Sequence, residues 1–226
     1  MAVKKQNYLD LKFFLGKNVK LVAVSKVQSV ADIKELYDLG QRDFGENYVQ
    51  ELVDKYEALP KDINWHFIGH LQTNKVKYIA SFVELIQGVD SLKLLEEINK
   101  EGGKNNRVIN CLLQVHIAME ETKFGLSENE LSTLFTQLNT NEKQLANVKI
   151  CGLMGIASFT DNLEKVRSEF RYLKSLFDKY TQLSTINYQL STISMGMSAD
   201  YKIAIEEGSN MVRIGSLIFG ARNYQH

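Results

Sequence analysis

Short runs of β-branched and aromatic residues at 19–25, 43–45, 65–68, 85–88, 108–117, 148–155, 191–194 and 211–214 alternate with longer amphipathic stretches at 30–39, 49–59, 75–81, 92–100, 128–138, 163–180 and 199–207. This is the pattern of a parallel sheet with crossover helices, because parallel strands need long return connections and each returning helix must bury one face. The 163–180 stretch shows the period most plainly, with Val166, Phe170, Leu173 and Phe177 on one apolar face. Two joints share one grammar of helix, Gly, polar residues, strand, Gly: one runs from Leu39 through Gly40 to Gly45, the other from Glu207 through Gly208 to Gly215. The first glycine of each suits a left-handed helix end. An open doubly wound sheet is compatible with the alternation, but eight strands on one uninterrupted chain fit a (β/α)8 TIM barrel better. Dividing 226 residues by eight gives about 28 per unit, close to a barrel of roughly 250 residues. The expected architecture is therefore a single barrel domain over residues 1–226.

Composition narrows the function classes. Lys+Arg 27 balances Asp+Glu 27, which removes the electrostatic drive that nucleic-acid and anionic-membrane binders rely on. Neither a nucleic acid nor a membrane is expected as a partner. Cys111 and Cys151 lie in apolar strand-like runs without metal spacing and read as reduced core thiols. No apolar stretch approaches about 18 residues, and the first residues carry no apolar leader segment. A cytoplasmic protein is expected.

Barrel chemistry is built at the C-terminal ends of the strands. The first strand ends in Lys26, which taken alone reads as a surface charge. The second ends in Phe44-Gly45-Glu46-Asn47-Tyr48, with Asn47 placed to cap the next helix. The third contains His66, expected as a satisfied barrel histidine, and is followed beyond Gly69 by His70, which could reach a site. No second ligand at metal spacing accompanies them, so no metal is expected. The charges of the loop 118–125, Lys123 among them, read as solvated, and Met154 reads as core packing. The seventh and eighth strands run into Ser194-Met195-Gly196-Met197-Ser198 and Arg213-Ile214-Gly215-Ser216. Small and hydroxyl residues there can offer backbone amides and Ser oxygens to an anion, and in barrels these two loops are the usual phosphate site. An amine facing a phosphate cradle across a barrel mouth points to a phosphorylated carbonyl compound held as a Schiff base, with pyridoxal 5′-phosphate as the candidate.

Six motifs carry a resemblance. Leu21-Val-Ala-Val-Ser-Lys26, Phe44-Gly-Glu-Asn-Tyr-Val-Gln-Glu51, Trp65-His-Phe-Ile-Gly-His-Leu-Gln-Thr-Asn-Lys75, Gly152-Leu-Met-Gly-Ile156, Ser194-Met-Gly-Met-Ser198 and Met211-Val-Arg-Ile-Gly-Ser-Leu-Ile-Phe-Gly-Ala-Arg222 stand in that order. Together they closely resemble the YggS/PROSC family of pyridoxal phosphate homeostasis proteins, over nearly the whole chain. The resemblance implies a barrel like the N-terminal domain of alanine racemase, with pyridoxal 5′-phosphate as a covalent internal aldimine on Lys26. It further implies that Ser194, Gly196, Ser198, Gly215 and Ser216 surround the phosphate, that Arg213 faces the pyridine nitrogen, and that Asn47 and Met154 line the ring. Two departures stand out: His70 replaces a proline common in the family, and the short segment before Lys26 suggests a reduced N-terminal helix.

An arginine at the pyridine nitrogen leaves that nitrogen unprotonated and weakens the ring as an electron sink. Racemisation also needs acid/base groups on both faces of the substrate carbon. In alanine racemase-like enzymes a tyrosine from the second domain of the partner subunit serves one face, and this chain is expected to have no residues left for such a domain. The resemblance thus implies a monomeric, non-catalytic protein that binds the cofactor reversibly, buffers it and passes it to apo-enzymes. The competing reading is a small racemase or lyase using His70 or one of the ten tyrosines as its second acid.

Overall fold

The computed structural model describes residues 3–118, 120, 124–139, 145–183 and 188–220; Lys123 and Arg222 lie outside them. An N-terminal helix α1 (Lys5–Leu15) precedes β1 (Lys20–Val24), α2 (Val30–Asp38), β2 (Asp43–Glu46), α3 (Val49–Ala58), β3 (Asn64–Phe67), a 3-10 helix (Thr73–Tyr78) and β4 (Leu85–Val89). The chain continues through α4 (Leu92–Lys104), β5 (Ile109–Val115), α5 (Glu128–Asn139), β6 (Val148–Gly155), α6 (Leu163–Gln182), β7 (Thr192–Ser194), α7 (Tyr201–Glu206), β8 (Met211–Ile214) and α8 (Ser216–Phe219). Every strand pairs in parallel with the next, and β8 closes on β1 with Lys20 opposite Met211 and Ala23 opposite Ile214. The expected eight-stranded barrel is therefore the observed one.

Its strands are buried on both faces, as parallel strands covered by helices must be; β4 has no exposed position. Most of the core lies between strands and helices, around Phe44, Trp65, Ile86, Leu113 and Phe170. A second, smaller cluster of Val22, Leu85, Leu112, Met154 and Met211 fills the barrel interior. Strand side chains alternate faces, so Gln87 and Arg213, two residues beyond Leu85 and Met211, also point inward. They form a polar layer nearer the C-terminal mouth. Gly40 and Gly208 adopt φ of +96° and +97° just after α2 and α7, the left-handed conformation that L side chains resist.

The N-terminal segment, expected to carry a reduced helix, builds one of 11 residues that buries Tyr8, Leu11 and Leu15. It is docked by the Asn7 side-chain amide, which donates to the Leu217 carbonyl at 3.1 Å. The stretch at 75–81 forms a 3-10 helix over Thr73–Tyr78 and no α-helix, although Val76, Ile79 and Ala80 are all buried. Asn47 does not cap α3: that position falls to Tyr48, which makes no side-chain cap bond.

Candidate functional site

Lys26 stands two residues beyond the end of β1, on a tight turn. The Gln28 amide donates to the Ser25 carbonyl at 3.0 Å, and Val27, the third residue of the turn, has φ +64°. A β-branched residue in this region is an outlier, at a cost of order 1–3 kcal/mol. Charged groups from β2 and α3 brace the turn. Ser25 Oγ donates to Glu46 Oε1 at 2.5 Å, and Lys55 Nζ donates to the Ser25 carbonyl at 2.7 Å and to Glu46 Oε1 at 2.8 Å. Glu51 Oε1 accepts from Lys55 Nζ and from the Val27 amide, each at 2.5 Å.

Glu46 is fully buried, and its Oε2 has no hydrogen-bond partner. Burial pushes its carboxyl up to about 7, with Glu51 adding to the rise and the contacts from Lys55 and Ser25 opposing it. In the folded protein Glu46 therefore holds its proton more tightly than the ordinary value of 4.5 allows. The resulting stabilisation is complete below pH 4.5 and is lost as pH rises through about 7. Glu46→Gln keeps an acceptor for Ser25 and Lys55 but cannot titrate. Denaturant titrations across this pH window should show a flatter stability profile for the variant, whereas an unchanged slope would assign the dependence to another group.

A second polar chain crosses the barrel interior with every donor direction set. Asp43 Oδ1 accepts from His66 Nε2 at 3.0 Å, which leaves His66 Nδ1 to accept from Gln87 Nε2 at 3.0 Å. Ser194 Oγ donates to Gln87 Oε1 at 2.7 Å and accepts from Arg213 Nη1 at 2.6 Å. Arg213 Nη2 donates to the Gly155 carbonyl at 2.9 Å. The guanidinium is 4% exposed; burial pushes it down to about 10, with Asp200 opposing, so it stays charged at neutral pH. His66 is the satisfied barrel histidine that its position within a strand suggests.

At the C-terminal mouth a cavity of about 840 Å³ lies in the range of small-molecule sites. Lys26, Asn47, Ser198, Arg213, Gly215 and Ser216 all line it, contributed by the ends of β1, β2, β7 and β8. Asn47 Oδ1 is buried there without a hydrogen-bond partner. The amides of Ser216 and the residue after it open α8, where a helix has no internal acceptors for them. Met154, Ser194 and Gly196 do not line the cavity. Met154 belongs to the interior apolar cluster, Ser194 supports Arg213, and the Gly196 carbonyl accepts from the Arg213 amide at 3.0 Å.

His70 does not line the cavity either. Its Nδ1 meets Asp90 Oδ2 at 3.0 Å, and its ring stacks on Phe124 at 4.0 Å. Among the described residues no histidine or tyrosine lines the cavity, and no group of His, Cys, Asp and Glu could hold a metal. Both cysteines are free; Cys111 is buried, which raises its thiol, while Cys151 is only half-buried. No helix among the described residues is long and apolar enough to cross a membrane. Sequence reasoning missed Glu46, Glu51, Lys55 and Gln87 as parts of the site's support. The Glu51/Lys55 pair at i,i+4 was the available signal, but its inward direction depends on how α3 sits on the barrel.

The alanine racemase N-terminal domain family matches residues 3–223. The pyridoxal phosphate homeostasis protein of Aquifex aeolicus is 46% identical over 211 residues, covering 92% of this chain and 90% of that one. PipY of Synechococcus elongatus, solved with PLP bound, superposes with a TM-score of 0.85 at 33% identity, covering 95% of this chain and 99% of that one. An alanine racemase of Clostridium difficile shares the fold, with a TM-score of 0.77 at 14% identity over 98% of this chain and 57% of that one.

Proposed function

Because the chain belongs to the pyridoxal phosphate homeostasis protein family, we propose that it binds pyridoxal 5′-phosphate at the barrel mouth, buffers it, and passes it to apo-enzymes without catalysing a reaction of its own. One observation carries this reading: Lys26, Arg213, Asn47 and the loops after β7 and β8 meet in a single cavity. The residues fit the cofactor. A primary amine, polar groups beside a ring and small residues around a phosphate are the donor set it needs, and the orphaned Asn47 Oδ1 is a buried acceptor that a ligand can satisfy. When bound, the cofactor supplies an aldehyde that condenses with an amine and a phosphate that needs hydrogen-bond donors.

In this assignment Lys26 Nζ is the covalent anchor, and Asn47 and Arg213 contact the ring. Ser198, Gly215 and Ser216 receive the phosphate. Ser194, Gly196 and Met154 act one step back, by fixing Arg213 and filling the barrel beneath it. Acid/base work on both faces of a substrate carbon calls for a second group opposite Lys26. Of the groups the racemase reading could use, His70 is turned toward Asp90 and Phe124 instead, and among the described residues no tyrosine lines the cavity, which favours the carrier reading.

The rim of the cavity carries Phe159, 93% exposed, together with Leu163 and Met197. Apolar groups gathered at a ligand mouth suit a surface that a partner covers. Transfer should be measured by the activity regained by an excess of apo-enzyme mixed with the loaded protein. The expected rate exceeds that of cofactor dissociation into buffer. A rate equal to free dissociation would remove delivery from the proposal and leave buffering.

A further inference from the structure

We propose that Glu51, with Glu46 and Lys55 behind it, is a positioning residue that holds the turn at 25–28 in the conformation aiming Lys26 into the cavity. The inference rests on the function proposed above, in which Lys26 is the covalent anchor. Both neighbours of Lys26 are fixed by the same buried charges. Ser25 is held through its hydroxyl by Glu46 and through its carbonyl by Lys55, and Val27 is held through its amide by Glu51. Lys55 Nζ bonds both carboxylates and so joins the two grips into one bracket.

The backbone shows why a bracket is needed. Ser25 and Gln28 close the turn by a carbonyl-to-amide hydrogen bond, and of its two central residues only Val27 has positive φ, at +64°. A turn with positive φ at its third residue favours glycine there. Valine has no such freedom, and its side chain, 61% exposed, has little packing to hold it. Without the Glu51 carboxylate on its amide, Val27 would relax toward negative φ. That relaxation turns the peptide planes on either side and swings the Lys26 Cα–Cβ bond away from the cavity. Glu51 acts through the backbone of the next residue.

The test is a pair of variants in the full-length protein, titrated with pyridoxal 5′-phosphate and read by visible absorption, with thermal unfolding of the unloaded protein measured alongside. Glu51 is partly exposed, so Glu51→Ala does not strand a deeply buried charge. Glu51→Ala should weaken binding by about tenfold. Adding Val27→Gly, which removes the strain that drives relaxation, should bring affinity back to within about threefold of wild type. A purely stabilising role would lower the unfolding temperature without this rescue. Wild-type affinity in Glu51→Ala, or a loss that Val27→Gly leaves undiminished, overturns the bracket. Failure of the wild-type protein to take up the cofactor, or unaltered binding in Lys26→Ala, would instead overturn the function on which it rests.

Discussion

Lys26→Ala protein, loaded with pyridoxal 5′-phosphate and treated with borohydride, should carry no covalent adduct where the wild type carries one. The effect is expected to be complete because, among the described residues, no other lysine lines the cavity. Lys55 Nζ, the amine nearest in the bracing network, is committed to Glu46, Glu51 and the Ser25 carbonyl, and its side chain is only 6% exposed. Breaking those bonds would leave two carboxylates, one of them fully buried, without their cation, and stranding a buried charge costs about 3–5 kcal/mol. What remains in the variant is the non-covalent part of the site. Contacts to phosphate and ring should still hold the cofactor, weakened by about a hundredfold or more. Mass spectrometry of the reduced protein and equilibrium dialysis separate the two quantities. An adduct of undiminished yield in Lys26→Ala would move the anchor elsewhere and leave the lysine as an ordinary end-of-strand charge.

The barrel was legible because its two periodicities are local: a strand that must be apolar on both faces and a helix that must be apolar on one each write themselves into a few consecutive residues. The cavity residues Lys26, Arg213, Gly215 and Ser216 were legible for a related reason, since they lie at or just beyond strand ends that the pattern locates. Asn47 stands at a strand end where pattern alone reads it as a helix cap, and only the resemblance turned it toward a ligand, because a helix-initiating position and a cavity-facing one look alike until the helix axis is known. Ser194 shows the limit from the other side. A serine at the end of β7 resembles a phosphate ligand in sequence, but its hydroxyl donates to Gln87 and accepts from Arg213. Those partners lie 107 and 19 residues away in the chain, and nothing local announces them. The bracing of Lys26 by Glu46, Glu51 and Lys55 was hidden similarly. Glu51 and Lys55 lie on a helix, where charged residues are ordinarily solvated, and only the seating of α3 against β2 turns them toward Glu46.

Arg213→Met should leave the fold nearly as stable as before and cost the protein its cofactor affinity, a separation that a structural arginine could not produce. The unloaded protein holds a guanidinium 4% exposed with no carboxylate among its direct hydrogen-bond partners, which are a serine hydroxyl and a backbone carbonyl. Burial lowers its proton affinity to about 10, which measures how poorly this environment compensates the charge. Replacing a buried charge by an apolar side chain of similar length is commonly neutral or stabilising, by about 1–4 kcal/mol. Against that gain stands the Gly155 carbonyl, which loses its donor from Arg213 at a cost of about 1–3 kcal/mol. Ser194 keeps its bond to Gln87 and adds little. The two terms nearly cancel, so the unfolding free energy should change by less than about 2 kcal/mol. Binding has no such compensation: a charge-assisted hydrogen bond to the ring is worth about 1.5–3 kcal/mol, or roughly ten- to a hundredfold in affinity. Arg213→Lys should rescue little of it, because a single ammonium lacks the fixed planar fork that lets one guanidinium donate to Ser194 and Gly155 and still offer an N–H to the ring. Denaturant unfolding of the unloaded variants and cofactor titration of the same samples provide the two readings. Unfolding of Arg213→Met with binding intact in the residual folded fraction would make the arginine a structural strut. The converse pair of results would show that the barrel tolerates a poorly compensated buried cation because the ligand requires it.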